Sequence, residues 1–151
     1  MKRLCNVAAF GALLALPAQA QMMLDQSCIL DTGQQTSCTH AIACIGGDTL
    51  FVGGATGWDS GTLSGTLSTG AHCGGTWNSA ENTVRFECDD GQSGQVIYWS
   101  QDPETGTALG TGETLAGRPI EAWSGNNIAD YVMRETGEVT LKCGITEVPL
   151  S

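Results

Sequence analysis

HAIACIGG (residues 40–47), TVRFECDDG (83–91) and EVTLKCG (138–144) share one pattern. Residues two apart form an apolar set in each: Ile42 and Cys44; Val84, Phe86 and Cys88; Val139, Leu141 and Cys143. A period of two marks a half-buried strand, because successive side chains point to opposite faces. A cysteine ends each run on the apolar side, and glycine follows within a few residues to make a turn.

The repetition continues downstream. After Cys44 come Leu50 to Val52 and then GTLSGTLSTGAHCGGTW, ending at Trp77. After Cys88 come Val96 to Trp99 and then GTALGTGETLAGRPIEAW, ending at Trp123. Two divergent copies of a three- or four-strand unit, about 40–77 and 83–123, fit this pattern, with a closing strand at 138–143. Trp77 and Trp123 hold matching positions and read as core anchors. Two copies are too few for a propeller.

Short β-leaning runs bounded by Gly, Ser, Thr, Asn and Asp predict strands at 41–44, 49–52, 62–67, 83–88, 95–100, 107–111, 119–124 and 139–143. One short helix fits 127–135, with Asn127 able to cap its start and Gly137 to close its end. The expected fold is all-β: a small, disulfide-stapled antiparallel barrel or sandwich built from two divergent repeats.

Residues 1–20 read as a cleaved secretory signal: Lys2 and Arg3, an apolar stretch from Val7 to Leu16, then Ala18-Gln19-Ala20. That stretch is too short to span a bilayer, and no later run is long enough. The remainder, 21–151, is one domain, periplasmic or secreted. It keeps four basic side chains (Arg85, Arg118, Arg134 and Lys142) against 16 acidic ones. Such a surface repels nucleic acid, whose binding rests on cationic side chains; a charged partner would be cationic. Six cysteines remain, Cys28, Cys38, Cys44, Cys73, Cys88 and Cys143, and an even number in an exported chain implies a disulfide framework. Fifteen pairings are open; the repeat alignment favours Cys44–Cys73, Cys88–Cys143 and Cys28–Cys38.

Chemistry-bearing motifs are scarce. Thr69–Cys73 and Asp59-Ser60-Gly61 echo the histidine and serine motifs of chymotrypsin-like proteases. The serine segment comes first, however, lacks the preceding glycine, and the chain is too short for two barrels. Both stretches read as Gly-rich turns. Zinc at Cys38, His40, Cys44, His72 and Cys73 would need reduced thiols and shows no Cys-x-x-Cys pair. The acidic runs 89–91 and 102–104 lack the spacing of calcium loops. No cofactor is expected, and no carboxylate pair stands out for glycoside hydrolysis.

Partner-contact candidates are aromatic. Trp58 lies between turn residues; Trp99 follows Tyr98 on a strand, so one of those two faces outward. VRFECDDGQSGQVIYW (84–99) resembles the first hairpin of the periplasmic C-type lysozyme inhibitor family. The resemblance implies a small exported β-barrel that blocks the lysozyme cleft with a Ser-Gly-x-x-Tyr loop and a later lysine. WSGNNIADY offers Ser124, Gly125 and Tyr131, with more residues between Gly125 and Tyr131 than the family has, and Lys142 is the only lysine after residue 20. The expected function is therefore an acidic, exported, non-catalytic binding or inhibitor module for a cationic protein or a glycan. The alternatives are a small carboxylate-dependent hydrolase and a structural envelope-associated protein.

Overall fold

In the computed structural model, which describes residues 22–150, eight strands follow one another from Cys38 to Ser124. They are β1 (Cys38–Ile45), β2 (Thr49–Trp58), β3 (Ser60–Leu67), β4 (His72–Asn78), β5 (Thr83–Cys88), β6 (Ser93–Gln101), β7 (Ala108–Thr114) and β8 (Pro119–Ser124). Each pairs antiparallel with the next, and β8 returns to β1 through pairs such as Ile42↔Trp123 and Ile45↔Ile120. The result is a closed up-and-down barrel with no free edge. Helix α1 (Ile128–Thr136) and a two-stranded sheet, β9 (Thr140–Cys143) with β10 (Thr146–Pro149), follow the barrel. The proposed signal segment 1–20 lies outside the described residues.

The expected all-β, disulfide-stapled fold with one short helix is the one observed, and it is a barrel rather than a sandwich. Closure differs from the expectation. The strand expected at 138–143 does not complete the barrel; β8 does, and β9 pairs with β10 instead.

Two cores lie on the two sides of the wall. Inside the barrel pack Ala41, Ala43, Ile45, Phe51, Leu63, Leu67, Val96 and Ile120, with Cys73 and Cys88. Outside, Ile42, Leu50 and Val52 meet Ile128 and Val132 of α1 and Leu141 and Val148 of the hairpin. Strand β1 is therefore buried on both faces, which is why AIACI is apolar without a break. Cys44 sits on the outer face and Cys88 on the inner one. The same offset puts Trp123 outside against the helix–hairpin unit, whereas Trp77 lies with the inward-facing residues of β4. The matched-anchor expectation for the two tryptophans fails for this reason.

The disulfides follow the geometry. Cys28–Cys38 ties the N-terminal segment to β1, as the alignment favoured. The other two differ from it: Cys73 bonds Cys88, its direct cross-strand neighbour inside the barrel, and Cys44 bonds Cys143, clamping the hairpin to the outer wall. All six cysteines among the described residues are engaged.

Interior glycines alternate with the large interior side chains. At Gly61 and Gly112 a Cβ would stand 1.9 Å from the carbonyl oxygens of Thr56 and Gln95, so only glycine permits the close approach of the neighbouring strand. Glycine also hides β4 from sequence reading, since in HCGGTWN the inward position Gly75 carries hydrogen where a side chain would mark a strand.

The barrel ends differ. One end is closed by Arg118 in the β7–β8 turn. Its guanidinium donates to Gln92 Oε1 (2.7 Å), to the Ile45 carbonyl and Thr49 hydroxyl (3.1 Å each) and to Asp48, tying three turns together. The barrel interior retains a void of only about 30 Å³, the room of one water. The opposite end is open.

Candidate functional site

At the open end the interior widens into a cup of about 320 Å³. Its floor is apolar: Ala41 from β1, Ala55 from β2, Leu63 from β3, Val84 from β5 and Tyr98 from β6. The wall carries Trp58 at the end of β2, Trp77 on β4, Ala108 on β7 and Ser124 on β8. Asn78 at the end of β4, with Ser79 and Asn82 of the β4–β5 connection, borders it. Leu30 and Ser37 border it from the N-terminal segment, held there by the Cys28–Cys38 bond and by the Gly57 N–H donating to the Ser37 carbonyl (2.9 Å).

Local sequence explains the rim. GWDSG, the stretch that echoes a protease serine motif, is the β2–β3 hairpin tip: Trp58 pairs with Ser60 and Asp59 alone joins them. Asp59 takes φ 63°, a left-handed conformation in which aspartate is enriched, and Gly57 takes φ 134°. A Cβ at Gly57 would stand 2.3 Å from the Ser60 carbonyl oxygen. His72 opens β4 at the other end of β3, where it is cross-strand from Thr66. The six residues separating Ser60 from Thr66 span roughly 20 Å along the strand. Ser60 and His72 therefore form no catalytic pair, and both stretches are hairpin ends.

Three polar side chains of the cup donate to backbone carbonyls. The Trp77 indole N–H donates to the Thr56 carbonyl (3.2 Å), the Ser124 hydroxyl to the His40 carbonyl (3.1 Å), and the Thr83 hydroxyl to the Glu81 carbonyl (2.9 Å). Burial pushes the Tyr98 phenol up to about 12, with its hydrogen bond to Ser124 acting the other way. Tyr98 is neutral at any physiological pH. Among the described residues, the cup lining includes one carboxylate, that of Asp59, and no lysine, arginine or histidine.

The four expected contact residues separate. Trp58 and Ser124 share the cup. Trp99 does not: a bulge between Tyr98 and Ser100 turns it outward, where it is 64 % exposed, while Tyr98 turns inward. Tyr131 lies on α1, packed toward the outer core with the Arg134 guanidinium 5.5 Å from its ring centroid. Ser124 and Tyr131 are thus on different elements and sides of the wall, not on one loop. Trp77, Tyr98 and Asp59 are cup residues that sequence reading did not assign; the signal available was inward strand parity for Trp77 and Tyr98 and, for Asp59, its place beside Trp58 at the hairpin tip.

Helix α1 is held by Arg134, whose guanidinium meets Asp102 (2.7 Å), Glu104 (2.9 Å) and Glu135 (3.0 Å). Hydrogen bonds from Arg134 and then Thr105 hold the Asp102 carboxyl well below the usual carboxylate range. Asn127 stands at the expected cap position, but its side chain donates to the Thr105 carbonyl (2.9 Å) and accepts from no helix N–H. Gly137 closes the helix at φ 77° as expected. On the outer face of β1, His40 Nδ1 is buried without a hydrogen-bond partner; burial holds the imidazole below its ordinary value, opposed by the Asp25 carboxylate.

Among the described residues, no three His, Cys, Asp or Glu side chains gather as a metal site, and no helix is long and apolar enough to cross a membrane. No family model matches the chain, and no curated protein matches it. A solved structure of a designed protein, a de novo fluorescence-activating β-barrel, is similar over 58 % of this chain and 89 % of that one. The identity is 11 % and the TM-score 0.45.

Proposed function

We propose that this protein is an exported, non-catalytic binding module that receives a small ligand in the cup at the open end of its barrel. The observation that carries this reading is the cup itself. One end of the barrel is filled and bolted by Arg118, whereas the other opens to about 320 Å³ beneath two tryptophans. That volume is within the range of small-molecule sites, which are concave, mostly apolar and carry a few fixed polar groups. Three disulfides suit an oxidising compartment, in keeping with a periplasmic or secreted location. A carboxylate-pair hydrolase draws no support from the cup, which brings in Asp59 without a second carboxylate.

The test fills the cup. Ala55→Phe places a ring over the floor, where open space accepts it. Binding of any small molecule found by screening the purified oxidised protein should be lost, with the thermal midpoint unchanged. Undiminished binding by this variant would refute the cup as the site.

A second reading is inhibition of a cationic enzyme of the lysozyme kind. It draws on residues 84–99, which form the β5–β6 hairpin, and on the acidic surface. The separation of Ser124 from Tyr131 weighs against the family's loop mechanism. Undiminished lysis by C-type lysozyme at excess protein would eliminate this reading.

A further inference from the structure

We infer that the cup selects an organic cation: an ammonium group carried on a compact aryl or branched apolar body. This rests on the reading of the cup as a binding site and adds the charge and shape of its occupant.

Three features converge. First, the lining has no cationic side chain, so an anionic ligand would surrender its hydration with no opposite charge to replace it. The one charged group is Asp59, exposed at the rim beside Trp58. Second, the hydrogen-bond donors of Trp77, Thr83 and Ser124 are spent on backbone carbonyls. The donors left on the lining, such as the Asn78 and Asn82 amides and the Tyr98 hydroxyl, are neutral, so they offer an anion dipoles but no full positive charge. Third, Trp58, Trp77 and Tyr98 supply aromatic surface, and attraction between a cation and such rings is worth roughly 2- to 30-fold in affinity. Tyr98 stays neutral, so it presents a ring and a hydroxyl instead of a second charge. The formal charge of −10 adds a long-range field that raises the encounter rate with cations and disfavours anions. The apolar floor asks for a hydrophobic body behind the charge.

The experiment titrates the purified oxidised chain with three probes: benzyltrimethylammonium, its uncharged carbon isostere neopentylbenzene, and phenylacetate. Calorimetry and tryptophan emission serve as readouts, and Ala55→Phe is run in parallel. We expect the cation to bind at least tenfold more tightly than the isostere and phenylacetate not to bind. Asp59→Asn should weaken the cation about three- to tenfold while leaving the isostere unchanged. Asparagine tolerates the left-handed tip as well as aspartate does, so this variant keeps the hairpin. Trp58→Leu should weaken both probes, the cation more. Equal affinity for cation and isostere, with both lost in Ala55→Phe, would overturn the charge selectivity and leave the cup reading standing. Binding of no probe, or binding indifferent to Ala55→Phe, would overturn both.

Discussion

Replacing Cys44 and Cys143 together by alanine tests how the barrel and its helix–hairpin appendage are held as one unit. The three disulfides join residues 99, 15 and 10 apart for Cys44–Cys143, Cys73–Cys88 and Cys28–Cys38. A cross-link removes loop-closure entropy from the unfolded chain in proportion to the logarithm of loop length. For these loops the effect is about 4.7, 3.0 and 2.7 kcal/mol respectively. On the folded side, Cys143 and Cys73 are both deeply buried, so each of those pairs also forfeits apolar packing when truncated. Cys38 is half-buried and its pair forfeits less. The expected order of loss is therefore 44–143, then 73–88, then 28–38. Domains of this size are stable by only about 5–15 kcal/mol, so the first variant should lose a third of its stability or more. The assay is equilibrium urea unfolding of the three double-alanine variants without reductant, followed by tryptophan emission. The 44–143 variant should also show the largest rise in m-value, because its unfolded chain is freed to expand. If the 28–38 variant loses as much as the 44–143 variant, loop closure is not what these bonds contribute and the reasoning fails.

Three further outcomes are expected. Gly112→Ala should lose about 1–3 kcal/mol or more by overpacking, since its Cβ would lie 1.9 Å from the Gln95 carbonyl oxygen. The control Gly74→Ala, whose Cβ would meet only the Leu63 oxygen at 3.9 Å, should be neutral or slightly stabilising in the same urea assay. Asp102 has a folded pKa below its ordinary 3.8, so its contribution is fully present above that pH and is lost as pH falls further. The gap in thermal midpoint between wild type and Asp102→Asn should thus be largest near neutrality and shrink steadily below pH 3.8; a gap that widens in acid would contradict the Arg134 pairing. His40 should titrate below 6.5 by NMR, and stability should fall as pH drops through the window just below 6.5, where the unfolded chain takes up the proton first.

Much of this fold is written locally. Seven of the eight barrel strands carry period-two patterning or β-branched runs that sequence reading identifies, and Gly137 announces the helix end. What it misses is interior glycine. In β4 the inward positions are Cys73, Gly75 and Trp77, and the alternation that names a strand depends on side chains that the curved wall has no room for. The disulfide pairing fails for a related reason. Aligning Cys44 with Cys88 assumes that both face the barrel interior. Because helix α1 and the β9–β10 hairpin bury the outer face of β1, both faces of that strand are apolar, and parity alone does not say which is inner. Once Cys44 points outward, its partner must come from the appendage, and Cys73 is left to its cross-strand neighbour Cys88.

The cup was legible only in pieces. Its residues run from Leu30 to Ser124 and come from eight strands, two of their connections and the N-terminal segment, each contributing one or two side chains, so no motif in the ordinary sense exists to be found. Trp58 stood out because a tryptophan at a hairpin tip has no core to fill, and the same logic would have selected Asp59 beside it. Trp77 was hidden by its apparent match to Trp123, a match of sequence position that the opposite facing of the two strands breaks. The parity that misleads at Cys44 therefore misleads again at Trp77. In a barrel whose wall is buried on both sides over part of its circumference, the face of one strand has to be known before any repeat can be used to assign a site.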